Sequence, residues 1–127
     1  MVITLYAGIL GLIYVGLALF VVNGRFKYQV NLGDGGNDFI LKRVRVHANF
    51  IEYVPIALIL MALAEIEGAP EWLLHVLGVT LLIGRAIHPL GILKVVGPSV
   101  GRTGGMILTL SVIIISSILC IRSFFIF

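Results

Sequence analysis

The first 22 residues contain no charged side chain, and this stretch restricts the possible folds more than any other feature of the sequence. As an α-helix it would be about 33 Å long, enough to cross a hydrocarbon core of about 30 Å. Three further apolar stretches cover approximately residues 40–65, 72–93 and 106–124. The sequence therefore predicts an all-α fold, a bundle of four transmembrane helices that forms one domain over residues 1–127.

The composition agrees with a membrane location. Hydrophobic residues make up 60% of the chain and charged residues 12%, whereas soluble proteins average about 45–50% and about 25%. The net charge of +3 does not indicate nucleic acid as a partner, because the basic residues flank the apolar stretches instead of forming a soluble basic face. The single cysteine, Cys120, excludes a disulfide within the chain and is interpreted as a packing residue.

The basic residues between the apolar stretches predict the orientation. We expect Asn23-Gly24 to end the first stretch, and residues 95–105, with Gly97-Pro98, to form the third connection. Seven cations lie in or beside the first and third connections, whereas only Arg122 lies outside the spans on the other side. These seven are Arg25, Lys27, Lys42, Arg43, Arg45, Lys94 and Arg102. Both connections of this multi-pass membrane protein are thus predicted to face the cytoplasm, and both termini the other side.

A polar stripe enters the second apolar stretch. At 100° per residue, Arg45, Asn49 and Glu52 fall at 0°, about 40° and about −20°, with Tyr53 on the flank of the same helical face. A carboxylate within a membrane helix costs about 2.5–3.5 kcal/mol, so we expect Glu52 to face the bundle interior or a cleft between subunits and to have a cationic partner. The stripe is therefore a candidate functional site.

Pro55 follows this stripe directly. Because proline has no backbone N–H, it removes one helical hydrogen bond and leaves the carbonyl of Ile51 without its usual donor. We expect a kink or a local distortion of the helix there.

Arg85 and His88, three residues apart in the third stretch, lie near the same end of the bundle. In one interpretation Arg85 forms a structural ion pair with Glu52 and nothing binds there. In the other, guanidinium groups, an amide and a carboxylate bind a zwitterionic small molecule that carries carboxylates. A metal site is not predicted, since neither His47 nor His88 has a ligand-type spacing to another histidine or cysteine.

The polar pattern resembles that of the MAPEG family, the membrane-associated proteins in eicosanoid and glutathione metabolism. The resemblance extends from Gly24-Arg25 to Arg102, and the pattern in the second stretch is fairly specific. Its motifs are Arg45-x-x-x-Asn49-x-x-Glu52-Tyr53 followed by Pro55, Gly84-Arg85-x-x-His88, and an arginine in the third connection.

The resemblance implies a homotrimer with three glutathione sites between subunits, open to the cytoplasm. It implies that glutathione is held by Arg45, Asn49, Glu52 and Tyr53 of one subunit and by Arg25 of its neighbour. Arg85 and His88 would line or support the same cleft. Arg102 is similar to the arginine that stabilises the glutathione thiolate, although its alignment requires an insertion or deletion.

Two positions depart from the family members that form eicosanoids. Ile92 stands where those members carry a tyrosine, and Ala48 stands where some carry another arginine. The chain is thus more similar to the small bacterial branch of the family, which implies a location in the bacterial inner membrane.

The leading hypothesis is a membrane transferase or peroxidase that uses glutathione as cosubstrate, with hydrophobic electrophiles or lipid hydroperoxides as second substrates. Its partners would be glutathione, such a lipid-soluble substrate, membrane lipid and further copies of itself. An alternative is a non-catalytic scaffold of the same fold that binds glutathione or lipid. A transporter or pore subunit is disfavoured, because the polar residues cluster at one end and do not cross the midplane.

Overall fold

The computed structural model describes residues 1–94 and 99–126, which form four α-helices. They are α1 (Ile3–Tyr28), α2 (Asp38–Ile66), α3 (Glu71–Lys94) and α4 (Val100–Ile126). Each helix is long and apolar enough to cross a membrane, and there is no strand in these two ranges. The predicted all-α architecture with four membrane-spanning helices is confirmed.

Two helix ends differ from the prediction. The first helix continues through Asn23-Gly24 to Tyr28, and the fourth begins at Val100, so residues 100–105 are helical instead of part of a connection. Glycine disfavours a helix by only about 1 kcal/mol, which packing against a neighbouring helix can offset. The predicted turn at Gly97-Pro98 lies outside the described residues.

At the α1–α2 contact, packing around Gly24 offsets the low helix propensity of glycine. A Cβ atom at Gly24 would lie 2.7 Å from Cδ of Arg43, so the arginine side chain fills the space that glycine leaves. Arg43 then donates a hydrogen bond of 2.9 Å from Nη1 to the carbonyl of Phe20, and its guanidinium lies 4.1 Å from the centroid of the Phe20 ring. Packing, a hydrogen bond and a cation–π contact thus join the end of α1 to the start of α2.

The opposite end of α1 is fixed by polar contacts with α2 and α3. The Glu65 carboxylate accepts hydrogen bonds from the backbone N–H groups of Val2 and Ile3, and such groups at a helix start have no partner within the helix. Nearby, the Tyr6 hydroxyl lies 2.7 Å from Nδ1 of His75. These contacts close the end of the bundle that lies far from the polar stripe.

Helices α3 and α4 approach each other most closely along four glycines. A Cβ atom at Gly84 would lie 3.0 Å from the carbonyl oxygen of Gly105, and one at Gly101 would lie 3.2 Å from Cα of Gly91. Small residues in membrane helices allow this kind of backbone contact. Elsewhere the core of the bundle consists of packed, buried apolar side chains, including Leu10, Phe50, Val54, Ala57, Met61, Leu74, Leu77, Leu81 and Val112.

The glycine contact predicts that Gly105→Ala destabilises the protein. The new Cβ would lie 2.6 Å from Cβ of His88 and 2.7 Å from the carbonyl oxygen of Gly84, and overpacking of this kind costs about 1–3 kcal/mol. The matched control is Gly104→Ala, where the nearest atom, Cδ1 of Ile87, would be 3.6 Å away. Thermal unfolding in detergent should show a lower midpoint for Gly105→Ala alone, and equal midpoints would contradict the close contact.

Candidate functional site

The predicted stripe lies on one face of α2, as its helical spacing requires. Arg45 and Glu52 form an ion pair with 3.6 Å between Nη2 and Oε1, and their side chains are 51% and 47% exposed. The two residues are two helical turns apart, a distance that a long arginine side chain covers. A zwitterionic pair therefore sits at the surface of the subunit.

Asn49, between these two residues in sequence, connects three helices. Its Oδ1 accepts a hydrogen bond of 2.7 Å from Nη2 of Arg85 on α3, and its Nδ2 donates to the sulfur of Met106 on α4 at 3.6 Å. A hydrogen bond that involves a charged donor is stronger than one between neutral groups. Asn49 therefore determines the orientation of the Arg85 guanidinium.

The ion pair between Arg85 and Glu52 that the structural interpretation expected is not formed. Arg85 is only 2% exposed and lies inside the bundle, whereas Glu52 lies at its surface and pairs with Arg45. Helical spacing alone could not distinguish these depths. The buried arginine is thus held by a neutral amide, and no carboxylate among the described residues forms an ion pair with it.

Arg85 also retains unused hydrogen-bonding capacity. Within the described part of the chain, its Nε and Nη1 atoms are buried without an acceptor, and so is Nδ1 of His88, which is 1% exposed. One side of the guanidinium faces the Phe50 ring, with 6.0 Å from the guanidinium carbon to the ring centroid. Buried polar groups without partners are costly, so these atoms are suited to an acceptor-rich partner.

The remaining predicted residues, Tyr53, Arg25 and Arg102, lie at the same end of the bundle. Tyr53 is partly exposed on α2. Arg25 donates to the carbonyls of Gly33 at 2.8 Å and Val30 at 3.4 Å in the α1–α2 connection. Arg102 is exposed in the first turn of α4, where its backbone N–H bonds to Oγ of Ser99 at 3.2 Å.

The packing role of the glycines that position Arg85 and His88 was not predicted from the sequence. Gly84 precedes Arg85 directly, and the close backbone contact at Gly105 brings His88 against α4. A signal was present, because Gly101 and Gly105 are four residues apart, the spacing of the small-residue motif in membrane helix pairs. The contacts of Phe50 and Met106 with the site had no comparable signal.

The chain is similar to known membrane proteins. The pattern of the MAPEG family matches residues 3–122. Two curated relatives are the inner membrane protein YecN of Escherichia coli strain K12 and its counterpart in E. coli O6:H1. Each is 41% identical to this chain over 91 residues, which cover 72% of the chain and 70% of the relative. Together with four membrane-spanning helices and the polar cluster at one end, the match shows that this chain belongs to the MAPEG family.

Proposed function

We propose that the protein is a glutathione-dependent membrane transferase or peroxidase that acts on hydrophobic electrophiles or lipid hydroperoxides. The MAPEG match supports a function related to glutathione or eicosanoids in the membrane. The observation that carries the proposal is the buried Arg85, oriented by Asn49 and with two nitrogens that have no acceptor among the described residues.

Glutathione matches the charges of this site. It carries two carboxylates and one ammonium group, and the surface pair of Arg45 and Glu52 offers one cation and one anion about 3.6 Å apart. Arginine binds carboxylates through two parallel hydrogen bonds, and a glutamate accepts from an ammonium group. We therefore assign Arg45 to a carboxylate and Glu52 to the ammonium, with Asn49, Tyr53, Arg85 and His88 supporting the bound tripeptide.

Arg102 is assigned to the thiolate. A free thiol with a pKa of about 8.5 is mostly protonated at neutral pH. Arg102 lies in the first turn of α4, so its guanidinium and the partial positive charge of the helix N-terminus act together on an anion placed there. Both favour the thiolate, the nucleophile needed for conjugation or for peroxide reduction.

A homotrimer with sites between subunits would complete the constellation. In one subunit, the hydrogen bonds of the Arg25 guanidinium stay within its own connection, and the Arg45–Glu52 pair is half exposed. A neighbouring subunit could bring its Arg25 to this surface. The trimer is therefore part of the proposal.

The second candidate is a non-catalytic scaffold that binds glutathione or lipid. The Arg85–Asn49 hydrogen bond favours it, because such a bond can serve packing alone. The two candidates differ in whether bound glutathione is ionised at its sulfur.

Thiolate formation tests the catalytic role. Glutathione added to the purified protein in detergent should produce the near-ultraviolet absorbance of a bound thiolate at neutral pH, and Arg102→Ala should abolish it. Arg122→Ala, an exposed arginine at the opposite end of the bundle, is the matched control and should retain the signal. Glutathione binding without any thiolate in the unaltered protein would support the scaffold instead.

Glutathione affinity tests the assignment of the binding residues. Arg45→Ala and Glu52→Ala should each weaken binding about 10- to 100-fold, because a hydrogen bond to a charged group contributes about 1.5–3 kcal/mol. Isothermal titration in detergent measures this, again with Arg122→Ala as control. Native affinity in both site variants would refute this map of the site.

We also propose that the connections α1–α2 and α3–α4 face the cytoplasm, since most cations flank them. A single cysteine that replaces either Lys27 or Glu67, in a Cys120→Ala background, reports on one or the other end of the bundle. In bacterial spheroplasts a membrane-impermeant maleimide should label Glu67→Cys and spare Lys27→Cys. The reverse pattern would show the opposite orientation.

A further inference from the structure

A groove between α1 and α2 lies outside the residues assigned to glutathione. Its volume is about 370 Å³, within the range of about 300–1,000 Å³ that small-molecule sites occupy. It opens on the outer surface of the helix pair and is almost entirely apolar. The lining residues are Ala7, Leu10, Gly11, Tyr14, Phe50, Ile51, Val54, Pro55 and Leu58.

The groove is lined by a residue, Ile51, whose backbone carbonyl lacks its usual donor within the helix. Pro55 has no N–H, so the carbonyl of Ile51 lacks the donor that an α-helix normally supplies from four residues further on. Both residues line the groove. In a membrane no bulk water compensates for such a carbonyl, so a ligand that donates a hydrogen bond is favoured here.

A second polar group comes from α1. The Tyr14 ring is held in a row of aromatic rings, with centroids 5.4 Å from His47 and 6.2 Å from Phe50 on α2. Its phenolic hydroxyl can donate and accept. The α2 wall of an otherwise apolar groove thus carries an acceptor and the α1 wall a tyrosine, the few polar groups in an apolar pocket that are typical of ligand sites.

We propose that this groove binds a lipid-soluble molecule with a hydroxyl group, such as a long-chain alcohol or a phenol. The hydroxyl donates to the Ile51 carbonyl, Tyr14 bonds to the ligand oxygen, and the apolar body lies along Leu10, Val54 and Leu58. An ordinary acyl chain fits the apolar walls but has no donor for the carbonyl. Selectivity for the hydroxyl is therefore the signature of this site.

The site is separate from the glutathione residues but adjacent to them. Phe50 lines the groove and also faces the Arg85 guanidinium at 6.0 Å. The proposal does not depend on glutathione chemistry, since binding in the groove can be measured without glutathione.

The test uses a pair of photoreactive probes. One is a long-chain alcohol that carries a diazirine, and the other is its methyl ether, which has the same apolar body but no donor. The full-length protein in lipid nanodiscs, without glutathione, is irradiated with each probe, and the modified residues are mapped by mass spectrometry. The alcohol should label groove residues about tenfold more than the ether, the selectivity expected of one hydrogen bond to a buried acceptor.

Three variants complete the test. Gly11→Leu should abolish labelling by filling the groove, and a Cβ at Gly11 meets no atom within 4 Å, so the bundle need not change. Gly16→Leu, the same substitution at an equally open position outside the lining, should label normally. Pro55→Ala restores an N–H for the Ile51 carbonyl and should equalise labelling by alcohol and ether.

Several results would overturn the proposal. Equal labelling of the native groove by alcohol and ether would show an unselective lipid contact. Normal labelling of Gly11→Leu would place the ligand elsewhere, and alcohol selectivity that survives Pro55→Ala would remove the Ile51 carbonyl from the site. Cross-links through the groove between two copies of the chain would show that a neighbouring subunit occupies it. If Gly11→Leu fails to fold, the comparison of Pro55→Ala with the native protein decides alone.

Discussion

The close backbone contact between α3 and α4 is the constraint on which the polar site depends. Where glycines allow the helices to touch, as at Gly84 and Gly105, no side chain separates α3 from α4. Arg85 and His88, next to this contact on α3, are thereby taken out of solvent. Burial of the guanidinium costs free energy, which only groups within hydrogen-bonding distance can reduce. Asn49 on α2 supplies such an acceptor. Tight packing of two helices thus places a charge in the interior.

The two ends of the bundle are built differently. At one end, Glu65 caps the first helix and Tyr6 bonds to His75, so the polar groups there satisfy one another. At the other end, buried nitrogens of Arg85 lack acceptors among the described residues, and Arg45 and Glu52 face outward. A satisfied end stabilises the fold, whereas an end with spare hydrogen-bonding capacity can bind a ligand. This asymmetry agrees with the clustering of candidate site residues at one end.

The features that depend on helical periodicity could be predicted from the sequence. Those that depend on how deeply a side chain is buried in the bundle could not. Apolar stretches long enough to cross a membrane identified all four helices, and 100° spacing placed Arg45 with Glu52 on one face. The partner of Arg85 could not be predicted, because spacing gives the direction of a residue around its helix and not its distance from the surface. The start of α4 was missed because glycines that usually end helices here serve packing. The match of residues 3–122 confirmed the resemblance to the MAPEG family, while the roles of individual residues remain predictions.

The Arg85–Asn49 hydrogen bond also has a consequence for how the chain enters the membrane. A lone α3 would expose a guanidinium to hydrocarbon, which costs about 2.5–3.5 kcal/mol. Asn49 lies on α2, which is synthesised first, and only a short connection, residues 67–70, separates the two helices. The acceptor is therefore already present when the arginine emerges from the ribosome. Insertion of α2 and α3 as one hairpin would let the charge leave water together with its partner, so the order of the helices along the chain is itself part of how the buried arginine is accommodated.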